Sequence, residues 1–364
     1  MTAFARFDTK KDRDFLKTIR KRVNEHFKSN DISRFANSTM VVKTIVMFAL
    51  YLIPFLCIIS GLFTNYWVIF LFWMIMGIGK SGIGLSVMHD ANHGAYSRNP
   101  RVNRLLGLSM NIIGANAEVW KLQHNVLHHT YTNVDQIDDD INAPSFLRFT
   151  PYQELRPIHR FQFLYFWFFY GISILARVTF REYFRAYKFK KMGLTPKPGQ
   201  FRELMVSLVI WKVIYFGLFL ALPIWLSPVP VGFTILCFVI MHFIVGLTLS
   251  MVFQSAHVLP NCEIHQSNES GDLENSWIAH ELKTTSNFAP NSKVLSWFIG
   301  GLNFQIEHHL FPNICHVHYK SISKIVEQTA REFDLPYNSY PSFTRASMEH
   351  VKLLYDLGRA EKVR

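Results

Sequence analysis

Long apolar runs, separated by polar and basic segments, set the plan of the chain. After about forty mostly polar residues, 44–63 is long and apolar enough to cross a bilayer, and 66–88 follows after only Thr64 and Asn65. A second pair, 205–226 and 231–253, is joined by the short, uncharged Ser-Pro-Val-Pro stretch 227–230. Each pair predicts a transmembrane hairpin. Between the pairs, 161–174 is rich in aromatic residues, is marginal in length and is bounded by Arg160 and Arg177, so it is expected in or on the interface. Helical periodicity outside the spans predicts an N-terminal amphipathic helix with Phe15, Leu16, Ile19 and Val23 along the membrane surface. It also predicts an interfacial helix within 101–123 and closing helices near 321–333 and 343–357. The expected fold is all-α and integral to the membrane: four transmembrane helices in two hairpins with a cytoplasmic helical cap. Three segments follow, an N-terminal basic segment 1–40, a body 41–320 and C-terminal cytoplasmic helices 321–364.

Charge orients this scheme. The net charge is +12, and ten Lys or Arg fall in the first forty residues, whereas both hairpin tips are uncharged. The positive-inside rule then places both termini on the cytoplasmic side of a multi-pass protein, in a bacterial inner membrane or the endoplasmic reticulum. Because the basic segment leads straight into a span, it suits anionic lipid, and nucleic-acid binding is not expected. No cleavable signal is evident, since the first apolar run starts too late for one. Cys57, Cys237, Cys262 and Cys315 form no CxxC pair and read as buried small hydrophobes.

Two features of the second span need separate reading. Gly77, Gly79 and Gly82 satisfy GxGxxG, but no strand precedes them and they lie inside a membrane helix, where small residues serve close packing. Lys80 is expected to snorkel out of the bilayer.

The chemistry lies in the histidines. His124, His128 and His129 stand at i, i+4 and i+5; on an α-helix the first two share a face and His129 points about 100° away, toward a second metal. The competing reading is a solvated turn rich in His. His89 and His93 repeat the i, i+4 spacing at the cytoplasmic end of the second span, His257 ends the fourth, and His308-His309 follow a short apolar segment. Eight imidazoles suit two metal ions with positions left open for an oxidant, though spacing fixes neither zinc nor iron. The acidic run 130–140 offers carboxylates that hold ligand imidazoles through the second ring nitrogen. His242 lies fifteen residues before His257, roughly 22 Å along a helix and so near the opposite surface, and reads as structural.

HDANH at 89–93, HNVLHH at 124–129 and QIEHH at 305–309 resemble the three histidine boxes of the membrane fatty acid desaturases, in order and with the expected spans between them. The resemblance covers roughly residues 40–320. It implies two iron ions, cycling between ferrous and ferric, held by His89, His93, His124, His128, His129, His257, His308 and His309, with O2 as co-substrate. Gln305, Gln254, Asp90, Glu307 and Asp140 are expected behind these ligands or bridged to them by water. Gln305 in place of a first histidine is similar to the front-end desaturases, which act between an existing double bond and the carboxyl end. Many of those carry a fused cytochrome b5 with a His-Pro-Gly-Gly motif. This chain has no His-Pro pair and too short an N-terminal segment for that domain, so electrons are expected from a separate cytochrome b5, or a ferredoxin with its reductase. His280, His316 and His318 are read as structural or supporting.

The expected function is O2-dependent insertion of a cis double bond into a fatty acyl chain carried on CoA or lipid, with no residue acting chemically beyond the metal centre. A hydroxylase on the same scaffold is the nearest alternative. A metal transporter or a zinc-containing, non-redox membrane receptor is the alternative from another class, and a transporter would carry polar ligands through the mid-membrane.

Overall fold

The computed structural model describes residues 5–142, 144–268 and 270–360. Five helices are long and apolar enough to cross a membrane: Ser38–Ile59, Tyr66–Asn92, Pro157–Lys191, Gln200–Leu226 and Val231–His257. Four coincide with the expected spans. The third was expected as a short interfacial segment, yet its helix is continuous over 35 residues. Backbone hydrogen bonding carries it past the charged residues that end the apolar run, through a π-helical turn at Arg177–Arg181. The architecture is mainly helical; strands Ser286–Phe288 and Asn338–Tyr340 pair in parallel, with Asn287 opposite Ser339, and isolated bridges join Arg6 to Asp272 and Val134 to His265.

The chain divides into two compact units. The first comprises Asn37–Leu122 and Trp167–Ser250. Its helices begin where side chains satisfy free backbone N–H groups: Asn37 accepts from Met40 N, and Asn65 from Trp67 N and Val68 N. The glycines of the second apolar helix are packing positions. A Cβ on Gly79 would lie 2.6 Å from Tyr51 N, and one on Gly82 would collide with Met47. The third and fifth apolar helices cross at Gly171 and Gly246, where a Cβ on Gly246 would collide with the Gly171 carbonyl. Close approach without side chains is how apolar helices associate where no hydrophobic effect separates them from lipid.

This unit also buries charge. Lys80 does not snorkel; it is 2% exposed, and its Nζ lies 2.7 Å from Tyr215 Oη and 2.8 Å from His242 Nε2. His242 is fully buried, with Nδ1 donating to Phe238 O at 2.7 Å. These polar groups from the second, fourth and fifth apolar helices satisfy one another, which makes burial tolerable. Lys212 similarly forms a 2.6 Å ion pair with Glu182 and donates to Gly114 O at 2.7 Å, while Glu182 accepts from Asn116 N at 2.9 Å.

The second unit comprises Thr2–Ala36, Gln123–Phe166 and Met251–Arg364. The amphipathic helix Arg13–Ser29 does form, but Phe15, Ile19, Val23 and Phe27 are buried against Ile278, Leu282, Tyr319, Ile322 and Val326. Its apolar face packs on protein instead of along a lipid surface. The helices Trp277–Thr284, Gln305–Leu310 and Tyr319–Glu332 thereby share one core, and they carry the second unit's polar site.

Candidate metal centre

In the first unit, a π-helical turn at Ile83–Val87 leads into the buried His89 and, one turn on, the half-buried His93. Their ring centroids lie 4.8 Å apart, and both meet Trp120 edge-on, at 5.6 and 5.7 Å. Asp90 is buried beside them, with its carboxylate 3.9 Å from His89 Nδ1.

The second unit gathers six of the eight predicted ligands. The helix Ala117–Lys121 widens into the π-helix Leu122–His128, and His129 N donates to His124 O at 2.9 Å, an i→i−5 bond. This corrects the α-helical expectation for His129. Wider winding swings position i+5 toward the face of i, and His129 Nε2 lies 3.2 Å from His124 Nε2 instead of pointing away from it. His129 Nε2 is also 2.9 Å from His308 Nε2. Imidazole nitrogens approach so closely where a proton or cation stands between them. His128 turns to a second trio: ligand atoms of His128, His257 and His309 all lie within 4.8 Å of one another, as do those of His129, His308 and His309.

Hydrogen bonds fix the far side of several rings. His128 Nδ1 is 3.0 Å from Asp138 Oδ2, which also accepts from Asn133 N at 2.9 Å; Asp138 Oδ1 accepts from Asp140 N at 3.0 Å. The acidic loop is therefore built around Asp138. His309 Nδ1 is 2.7 Å from Glu281 Oε2, and the Thr132 hydroxyl donates to the same oxygen at 2.9 Å. His257 Nδ1 donates to Thr284 O at 3.3 Å, and His308 Nδ1 is 3.2 Å from Tyr319 Oη. Each contact directs Nε2 toward the cluster, the tautomer a metal requires. Burial pulls the His128 pKa down, but Asp138 and Asp140 outweigh it and hold it up to about 9. Burial pushes Glu281 up to about 8 against the opposing hydrogen bond from Thr132, so its carboxyl is costly to ionise without a cation nearby.

These residues fit a metal. His257 Nε2 and the Gln305 amide are buried beside each other, and neither is satisfied by a well-aligned hydrogen bond among the described residues, which leaves both to face a cation. An all-imidazole set in two overlapping trios is unlike a structural zinc site closed by four ligands, and suits redox metals with open positions.

The supporting residues divide. Asp140 lies 3.7 Å from His128 Nδ1 and accepts from Gln123 Nε2 at 2.6 Å. Gln254 donates to Asp140 O at 3.2 Å and so braces that loop. Glu307 turns to Asn287 Nδ2 at 2.9 Å and Tyr337 Oη at 3.0 Å, anchoring its box to the short sheet. His280 donates to Thr132 O at 2.6 Å and His318 to Phe35 O at 3.0 Å. Sequence reasoning missed Glu281, Thr132, Thr284 and Tyr319. Asp138 carried a signal, the acidic run after the second box, but nothing separated it from its neighbours.

Comparison with known proteins agrees with the geometry. The fatty acid desaturase family model matches residues 26–341. The chain is 33% identical over 352 residues to the sn-1 linoleoyl-lipid 6-desaturase of Synechocystis sp., covering 96% of each. It is 34% identical over 362 residues to the acyl-lipid (8-3)-desaturase of Physcomitrium patens, covering 96% of this chain and 72% of that one. It is 31% identical over 357 residues to the probable Delta(5) fatty acid desaturase C of Dictyostelium discoideum, covering 95% and 76% respectively. With its histidine clusters and its membrane-length apolar helices, the chain belongs to the fatty acid desaturase family, oxidoreductases acting on acyl lipids.

Proposed function

We propose that the chain is a di-iron, front-end desaturase of lipid-linked acyl chains, with His89, His93, His124, His128, His129, His257, His308 and His309 as iron ligands. The observation that carries this reading is the convergence of six buried imidazoles, four of which, His128, His309, His257 and His308, have their second nitrogens held by Asp138, Glu281, Thr284 and Tyr319. The relatives' names, 6-, 8-3- and Delta(5)-desaturases, favour front-end regioselectivity, and two of the three quoted above name a lipid-linked substrate.

When bound, two irons supply the activation of O2 that removes hydrogen from adjacent methylenes. O2 takes four electrons and four protons to become two waters; two of each leave the acyl chain as the double bond forms, two electrons come from a donor and two protons from solvent. The protein's own part is to hold and exclude. Asp138 and Glu281 keep protons on Nδ1 of His128 and His309, leaving Nε2 to the metal. Burial of every second-unit ligand excludes water, so oxidising equivalents are spent on the substrate. Four of the apolar helices are read as crossing, with Pro157–Lys191 in the interface and both termini cytoplasmic, which keeps the histidine boxes on one side. A cytochrome b5 or a ferredoxin supplies the electrons in this reading.

Expression in a host with a simple lipid profile, beside His308→Ala, tests this by gas chromatography–mass spectrometry with double-bond location. A new unsaturated acid made only by the intact chain, with the bond on the carboxyl side of an existing one, is the expected result. A hydroxy acid would identify an oxygenase instead. No product with a donor and a polyunsaturated lipid supplied, together with bound zinc, would end the desaturase reading.

A further inference from the structure

The packing of the N-terminal helix leaves its basic side without an assigned role. The helix Arg13–Ser29 runs antiparallel to Tyr319–Glu332: Phe15 meets Phe333 with ring centroids 5.5 Å apart, Arg22 pairs with Glu332 at 2.7 Å, and Phe27 meets His318 at 5.3 Å. Along most of this seam charges are balanced, by Arg22–Glu332, Arg331–Glu327 and Lys21–Glu25. At the His318 end they are not. Lys28, Arg34 and Lys320 are exposed there, with Lys324 one turn further along, where it lines a groove with Glu327, Arg331 and Glu332; none of the four forms an ion pair among the described residues, and the carboxylate between Lys28 and Arg34 is Asp31. Backbone contacts hold the patch together: Cys315 N donates to Arg34 O at 2.9 Å, and His318 Nε2 to Phe35 O at 3.0 Å.

What lies beneath the patch gives it meaning. Tyr319, next to exposed Lys320, is 1% exposed and its Oη is 3.2 Å from Nδ1 of the ligand His308. One residue therefore joins the cationic surface to the histidine cluster. The apolar stripe that would let this helix lie in a membrane is already buried in protein, which disfavours lipid as the occupant.

We propose that Lys28, Arg34, Lys320 and Lys324 form the docking surface for an acidic one-electron carrier protein, with Tyr319 and His308 as the route inward. The proposal rests on the reading of the chain as a metal-dependent desaturase with a separate donor. Each docked carrier would give up one electron to the bound metals, and two dockings would supply the two electrons that O2 reduction needs beyond those from the substrate. Cationic clusters of this kind steer an acidic partner and raise its rate of encounter, an effect that salt removes.

The test uses the intact protein in phosphatidylcholine nanodiscs, with reduction of its metal centre followed by stopped flow. Reduced ferredoxin and the reduced soluble domain of cytochrome b5 are the donors, across a salt series, and a small neutral reductant is the control. The variant Lys28→Gln/Arg34→Gln/Lys320→Gln/Lys324→Gln is compared with Lys17→Gln/Arg20→Gln at the other end of the same helix. The expected result is a loss of roughly tenfold or more in the second-order rate for at least one donor, with a flattened salt dependence, in the first variant only. Iron content and the rate with the neutral reductant stay at wild-type values. Wild-type rates and salt dependence in the four-site variant would overturn the proposal. So would unchanged electron transfer with lost binding to phosphatidylglycerol vesicles, which would make the patch a lipid contact. A wild-type protein with no metal that the neutral reductant reduces would overturn the desaturase reading first and this proposal with it.

Discussion

Replacing Glu281 tests whether the second ring nitrogen of a ligand histidine controls the metal. Its carboxylate is 1% exposed, lies 2.7 Å from His309 Nδ1 and accepts from Thr132 at 2.9 Å. In Glu281→Ala the His309 Nδ1 loses this carboxylate, while the Thr132 hydroxyl stays 3.2 Å away. The charge-assisted bond that is lost contributes about 1.5–3 kcal/mol. Loss of an outer-shell partner typically weakens metal binding about 10–100-fold, which is about 1.4–2.7 kcal/mol, so the two routes to the magnitude agree. Glu281→Gln keeps a carbonyl oxygen facing the imidazole and is expected near the tenfold end. His309 belongs to both trios, so loosening its ring acts on both sets of ligands. Iron retained per protein, titrated against a chelator series, is the assay, with product yield and melting temperature in parallel. The expected order of iron retention is wild type, then Glu281→Gln, then Glu281→Ala. A folded Glu281→Ala protein that retains iron as the wild type does would refute the reasoning.

Three other substitutions probe how the fold carries its buried polar groups and close contacts. Lys212→Met strands Glu182 without its 2.6 Å partner and should destabilise the detergent-solubilised protein by about 3–5 kcal/mol, whereas Lys212→Met/Glu182→Gln should recover much of the loss in melting temperature. Gly246→Ala drives a methyl into the backbone of the crossing helix and should cost about 1–3 kcal/mol, while Gly232→Ala, with open space around it, should leave melting unchanged. Burial lowers the His350 pKa to about 4, against a backbone bond from Nδ1 to Val258 O at 2.8 Å that opposes the shift. The neutral ring contributes stability that is present above the unfolded value near 6.5 and lost as pH falls toward 4. Melting between pH 7 and 5 should therefore fall by the equivalent of about 2 kcal/mol more in wild type than in His350→Gln.

The histidine boxes were legible because their spacing is local: ligands one helical turn apart can be read from a single stretch of sequence. What stands behind them was not, because those partners arrive from far along the chain. Glu281 reaches Thr132 across 149 positions, and Tyr319 sits outside any box. Lys80 shows the same limit inside the membrane. A lone lysine in an apolar run reads as a snorkelling residue, and only the fold brings it Tyr215 and His242, 135 and 162 positions away.

Two local features also escaped, each for a physical reason. The length of the third apolar helix was underestimated because hydropathy measures where a helix meets lipid, while backbone bonding decides where it ends. Arg177 and Arg181 stop the first and not the second. The placement of His129 failed because α-helical spacing was assumed for a stretch that winds as a π-helix. The sequence HNVLHH permits both windings. In the π register the i+5 position comes beside i, so His129 Nε2 lies 3.2 Å from His124 Nε2, while His128 and His129 serve different trios that meet at His309. The two trios thus follow from one wide turn of backbone, and a substitution that restored α winding there would separate His129 from His124 without removing any ligand.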